Sequence, residues 1–182
     1  MKVIGIDPGL VTMGYAVVAR EGGKLIPVAH GVFRTPPSLA HGERLALLRT
    51  QLLDVIGVHR PDEAAIERLF FNANVRTAMA VGQASGVAMA TLAEAGLEAA
   101  QYTPPQVKQS VVGVGSASKH QVQTMVASLL SLPSAPYPAD AADACALAIC
   151  HLNTARLGRA IDRASGTTAA RRLAGPRGAR VS

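Results

Sequence analysis

Lys2-Val3-Ile4-Gly5-Ile6-Asp7-Pro8-Gly9-Leu10-Val11-Thr12-Met13-Gly14-Tyr15-Ala16-Val17-Val18-Ala19 opens the chain, and its pattern decides the fold class. Residues 2–6 form a short apolar run closed by Asp7-Pro8-Gly9, a sequence that turns the chain. Residues 13–19, rich in Val with one Tyr, predict a second strand. Glu21-Gly22-Gly23 supplies another turn, and residues 24–33 extend again through Val28, Val32 and Phe33. Three strands joined by tight turns predict an antiparallel meander.

Outward from this meander the period changes. Leu45, Leu48, Leu52, Leu53 and Ile56 recur at helical spacing within residues 39–56. Pro61 precedes a short buried strand, residues 63–67, that ends in an acid. A long helix follows over residues 75–95, with Ala78, Gly82, Gly86 and Ala90 four apart, a stripe that lets another helix approach closely in a core or a dimer. A fifth strand is expected at 97–102, then a helix from Pro104, where a missing N–H is harmless. Gly113–Ser116 links to a helix at 118–130, and a Pro-rich loop leads to a last helix at about 140–157. Strands alternating with helices predict an α/β fold: a mixed five-stranded sheet flanked by helices. The expected division is a folded domain over residues 1–157 and a mobile tail over 158–182, where apolar periodicity stops.

Composition sets limits. The chain has 182 residues, 49% of them apolar and 3% aromatic, with no Trp. That suits one domain with an aliphatic core, and any exposed aromatic draws attention. Residues 1–155 carry eleven Lys/Arg and eleven Asp/Glu, so the net charge of +6 resides in the last 27 residues, with seven Arg and one Asp. A basic tail on a neutral body points to a polyanionic partner. Cys145 and Cys150, five apart, match no metal or redox spacing and read as small buried hydrophobes in a reducing compartment. The N-terminus meets an acid too early for a secretion signal, and no run is apolar enough to span a bilayer, so a soluble, cytoplasmic protein is expected.

Four acids stand where chemistry would use them. Asp7 ends the first strand, Glu67 ends the fourth, and Asp140 and Asp143 begin the last helix on one face. Taken singly they also read as a turn residue, a surface acid and a helix cap. Together they can converge, and such a cluster repels itself unless divalent cations sit in it. All-oxygen donors suit Mg²⁺, with Mn²⁺ as the alternative. Two such ions about 3.5–4 Å apart can drive in-line hydrolysis of a phosphodiester with no His relay and no nucleophilic side chain.

Further blocks share a pattern with one family. Ile6-Asp7-Pro8-Gly9 with Gly14-Tyr15-Ala16-Val17, Ala65-Ile66-Glu67 with Phe70, Gln106-Val107-Lys108-Gln109, Val112–Ala117 with Lys119, and Asp140–Ile149 occur in order. Across residues 1 to about 155 the chain resembles the RuvC family of Holliday-junction resolvases. The resemblance implies a ribonuclease H-like fold, a homodimer, paired symmetrical nicks in a four-way DNA junction, and cooperation with a branch-migration helicase complex. It assigns metal binding and catalysis to Asp7, Glu67, Asp140 and Asp143. It makes Phe70 a wedge against an unstacked base, and Lys108 and Lys119 phosphate contacts. Leu10-Val11 replaces a polar or basic pair common in relatives, and Met13 a common Thr. An actin-like or sugar-kinase-like ATPase needs a second lobe that this length excludes. A ribonuclease H-like nuclease acting on RNA or another DNA structure, and a non-catalytic junction-binding module, are the alternatives.

Overall fold

The computed structural model describes residues 1–68 and 75–164. Phe70 and the tail from residue 165 onward lie outside them. Strands β1 (Lys2–Asp7), β2 (Thr12–Glu21) and β3 (Lys24–Arg34) precede helix α1 (His41–His59). Then come β4 (Glu63–Glu67), α2 (Val75–Glu94), β5 (Ala99–Tyr102), α3 (Pro104–Val112), α4 (Lys119–Leu129) and α5 (Ala139–Ala164). The sheet order is β3-β2-β1-β4-β5. β1 pairs antiparallel with β2 and parallel with β4, so the meander and the parallel half meet at the strand that carries Asp7. This is the expected mixed five-stranded sheet of a ribonuclease H-like fold.

Strand alternation explains the two layers. Ile4 and Ile6 of β1, with Ala64 and Ile66 of β4, turn to one face and bury against Leu48 and Leu52 of α1 and Ala84, Ala88 and Leu92 of α2. Val3 and Ala65 turn to the other, against Val107, Val122, Ala144, Ala148 and Ile149 from α3, α4 and α5. Period two therefore places Gly5, Asp7 and Glu67 on the face covered by α5. Both cysteines are buried in that second layer.

Helix ends follow local chemistry. Thr103 and Gln106 cap α3 reciprocally, the Thr103 N–H donating to Gln106 Oε1 at 2.9 Å. Ser118 and Gln121 do the same for α4.

Three expectations need adjustment. β5 starts at Ala99, because Leu97 is taken up in the turn after α2, its N–H donating to the Leu92 carbonyl at 2.8 Å. α5 continues to Ala164, past the expected helix end at about residue 157. On α2 the face that enters the core is Ala84, Ala88 and Leu92, whereas Gly86 and Ala90 of the small-residue stripe are exposed. Among the described residues, no helix is long and apolar enough to cross a membrane.

Candidate active site

Asp7 is the last residue of β1, opposite Gly14 of β2, and Glu67 ends β4 one step beyond the Ile6–Ile66 pair. Neighbouring strand ends thus bring two acids together. The second pair arrives on α5, and two glycines decide how close it comes. A Cβ at Gly5 would land on the Ala144 carbonyl oxygen and 2.8 Å from the Ala148 nitrogen. A Cβ at Gly14 would land on the Asp140 carbonyl oxygen. The helix therefore lies against bare backbone of β1 and β2, and its first two turns bring Asp140 and Asp143 to the end of β1. The Ala141 N–H bonds to the Pro138 carbonyl at 2.9 Å, which ties the preceding loop to that turn.

The electrostatics record the crowding. Asp7 is pushed up to about 8 by burial, and then by the charges of Glu67, Asp143 and Asp140, with a hydrogen bond to Glu67 adding to the rise. Glu67 is also raised, by burial first; its bond from Asp7 opposes the rise, and Asp143 adds to it. Burial and the neighbouring charges thus raise both carboxyls of this pair. Lys119, the first residue of α4, donates from Nζ to Asp143 Oδ2 at 2.7 Å, and this bond raises its own pKa. Lys108 of α3 and Lys119 line one cleft of about 240 Å³ together with Glu67 and Asp143. Asp140 faces a second cleft, of about 720 Å³, between the β1–β2 turn and the first turns of α1 and α2.

Six of the seven residues singled out in the sequence, all but Phe70, thus gather at one end of the sheet. Among the described residues, no group of three or more acidic, His or Cys side chains closes to metal-ligand spacing. Asp7 is instead tied to Glu67, and Asp143 to Lys119. The donor chemistry still fits a hard divalent cation: four carboxylates, all-oxygen, with burial first and then mutual repulsion raising Asp7 to about 8.

That raised pKa has a consequence for stability. The folded protein holds the Asp7 proton more tightly than the unfolded chain, whose carboxyl titrates near 3.8. The contribution is complete below that pH and is lost as pH rises through about 8. With EDTA present, wild-type melting temperature should fall across this window and that of Asp7→Asn should fall less. At pH 9 the variant should melt higher by roughly 5 °C. Melts at pH 5 and pH 9 check this, and parallel pH curves for the two proteins would refute it.

Two features escaped the sequence. None of the five His sits in a relay-like motif, yet His151 bridges Glu63 Oε2 at 2.6 Å and the Tyr102 hydroxyl at 2.8 Å, fastening α5 to β4 and β5. The available signal was spacing: His151 lies a heptad past Ala144 on the helix face that covers β1. The unusual turn residues also find their reason. Leu10 and Met13 are buried against the α1–α2 layer, and only Val11 is exposed. Thr35 Oγ1 donates to the Leu10 carbonyl at 2.6 Å and Arg44 Nε donates to Thr35 Oγ1 at 2.8 Å, so the turn is held by its backbone.

The family profile for crossover junction endodeoxyribonuclease RuvC matches residues 3–151. The crossover junction endodeoxyribonuclease RuvC of Halothermothrix orenii is 46% identical over 159 residues, covering 87% of this chain and 96% of its own. Two solved structures each cover 87% of this chain and 97% of theirs. They are Thermus thermophilus RuvC, with TM-score 0.81 and 38% identity, and T. thermophilus RuvC in complex with Holliday junction substrate, with TM-score 0.80 and 36% identity.

Proposed function

The chain belongs to the RuvC family of crossover junction endodeoxyribonucleases, and from that premise we propose how its residues perform the reaction. The protein is a nuclease that resolves four-way DNA junctions by hydrolysing phosphodiesters. Asp7, Glu67, Asp140 and Asp143 are its catalytic carboxylates. The observation that carries this assignment is that Asp7 and Glu67 end neighbouring strands while α5, lying against Gly5 and Gly14, brings Asp140 and Asp143 to the same place.

The same four acids would hold divalent cations, Mg²⁺ or Mn²⁺ and two per site, which supply water activation and charge neutralisation at the leaving oxygen. The protein residues do the rest. Because burial and neighbouring charges raise Asp7 and Glu67, cations would compete with protons there, and metal affinity should rise with pH. Lys119 exchanges its bond to Asp143 for a phosphate oxygen of the DNA, and Lys108, in the same cleft, holds a neighbouring phosphate. These charges fix the strand and oppose the charge that develops at the scissile phosphorus. Phe70 follows Glu67 by three residues and acts as the wedge against an unstacked base.

Two equivalent cuts need two equivalent sites, so the active form is a two-fold dimer. The exposed stripe of α2, with Met79 60% and Met89 36% exposed beside Gly86 and Ala90, supports a close helix contact there. Cooperation with a branch-migration helicase rests on family membership, and the Arg-rich tail suits electrostatic collection of DNA arms.

The test is cleavage of a labelled synthetic four-way junction beside a linear duplex and an RNA–DNA hybrid. With Mg²⁺ or Mn²⁺ we expect paired nicks at symmetry-related positions in the junction, and none without a divalent cation. Equal cutting of linear duplex, or preference for the hybrid, would replace this reading with that of a general ribonuclease H-like nuclease.

A further inference from the structure

The chain has six aromatic rings besides histidine, three Phe and three Tyr, and the described ones divide sharply. Tyr15 stacks on Phe33 with centroids 4.6 Å apart, and Tyr102 is bonded to His151. Tyr137 is 88% exposed. A ring so exposed is available for a contact outside the core.

Its surroundings are specific. Tyr137 stands between Pro136 and Pro138, three residues before Asp140, so its Cα lies within about 11 Å of that residue's Cα. Pro138 has its φ fixed and biases the residue before it toward extended backbone. The bond from the Ala141 N–H to the Pro138 carbonyl anchors the segment to the first turn of α5. The ring is presented on a restricted backbone and loses little entropy on contact. Residues 131–139 carry no charge, so this segment offers a phosphate no ion pair and offers DNA a π face.

Two clefts flank the carboxylates. Lysines line the cleft on the Glu67–Asp143 side. The cleft that Asp140 faces is mixed: Val11 and Met79, 65% and 60% exposed, line it together with His41, Arg44 and Gln83.

We propose that Tyr137 is a DNA-positioning residue whose ring stacks on a nucleobase of the junction strand, on the Asp140 side of the carboxylates. The inference rests on the reading of the chain as a junction nuclease. It adds a second aromatic contact, from a different part of the chain than Phe70.

The experiment uses full-length protein and an immobile four-way junction in EDTA, with binding followed by fluorescence anisotropy. Tyr137→Ala should weaken junction binding about tenfold, the order expected for one base–aromatic stack. Tyr137→Phe should stay within about twofold of wild type, because stacking needs the ring and not the hydroxyl. Melting temperatures should be unchanged, since the side chain touches no core. Photocrosslinking to junctions carrying single 5-iodouracil substitutions should label the peptide containing Tyr137, and the label should vanish in Tyr137→Ala. Wild-type binding by Tyr137→Ala with no crosslink would overturn the proposal. So would an equal loss in Tyr137→Phe, which would mean a hydroxyl–phosphate contact instead. A wild-type protein that leaves junctions uncut in Mg²⁺ defeats the underlying reading; one that cuts them while Tyr137→Ala binds normally defeats only the stacking role.

Discussion

Asp143→Asn should leave junction binding intact and lower the nicking rate by about 10³-fold, the scale on which preorganised active-site charges act. The substitution keeps the shape of the side chain and removes one of four negative charges. It also dissolves the 2.7 Å ion pair that holds Lys119. That pair is about 30% exposed on the Asp143 side and 59% on the lysine side, so its loss has little effect on stability. A lysine freed from its carboxylate is available to phosphate, and one fewer anion faces the DNA. Binding in EDTA should therefore be equal to or tighter than wild type. Single-turnover cleavage of a labelled junction at saturating protein, beside anisotropy titrations without divalent cations, separates the two effects. Cleavage near the wild-type rate would remove Asp143 from the catalytic set. A parallel loss of binding and cleavage would make it a recognition residue.

How much of this was legible in the sequence follows from which forces are local. The meander was readable because Asp7-Pro8-Gly9 and Gly22-Gly23 are turn chemistry, and the apolar runs showed Asp7 and Glu67 as strand ends; that they share a face needed the β1–β4 register. Asp140 and Asp143 were readable as a helix-face pair because their spacing is local. The contact of Lys119 with Asp143 was not: it depends on the packing of α4 against α5, which no spacing within either helix encodes. The family pattern alone brought that lysine forward. His151 was missed because its partners, Glu63 and Tyr102, sit on two different strands. The small-residue stripe on α2 showed the limit of periodicity, since spacing of four named a face without saying what covers it. Core contact went to the neighbouring Ala84, Ala88 and Leu92.

The same substitution should have opposite signs at two glycines, and the contrast tests what seats the catalytic helix. Gly57 lies inside α1, and a Cβ there meets nothing within 4 Å. Gly57→Ala should stabilise by about 0.5–1 kcal/mol through lower backbone entropy in the unfolded chain and better helix propensity. Gly5→Ala gains no helix propensity, and its Cβ meets the Ala144 carbonyl and the Ala148 nitrogen. Both are backbone atoms, so no side-chain rotation can relieve the clash, and α5 itself must lift from β1. Overpacking of this kind costs about 1–3 kcal/mol or more, which lowers the melting temperature by roughly 3–12 °C in a domain of this size. Activity should suffer beyond what the melt explains. Asp140 and Asp143 ride on the displaced helix, and a shift of about 1 Å in a catalytic group costs on the order of 100-fold in rate. Cleavage measured at 15 °C, well below the lowered transition, isolates that second effect. Full activity of folded Gly5→Ala would mean that the acids tolerate helix movement, and that the glycine serves packing alone. A rate loss of about 100-fold in a protein that is still fully folded would mean that the bare backbone of β1 sets the distance on which hydrolysis depends.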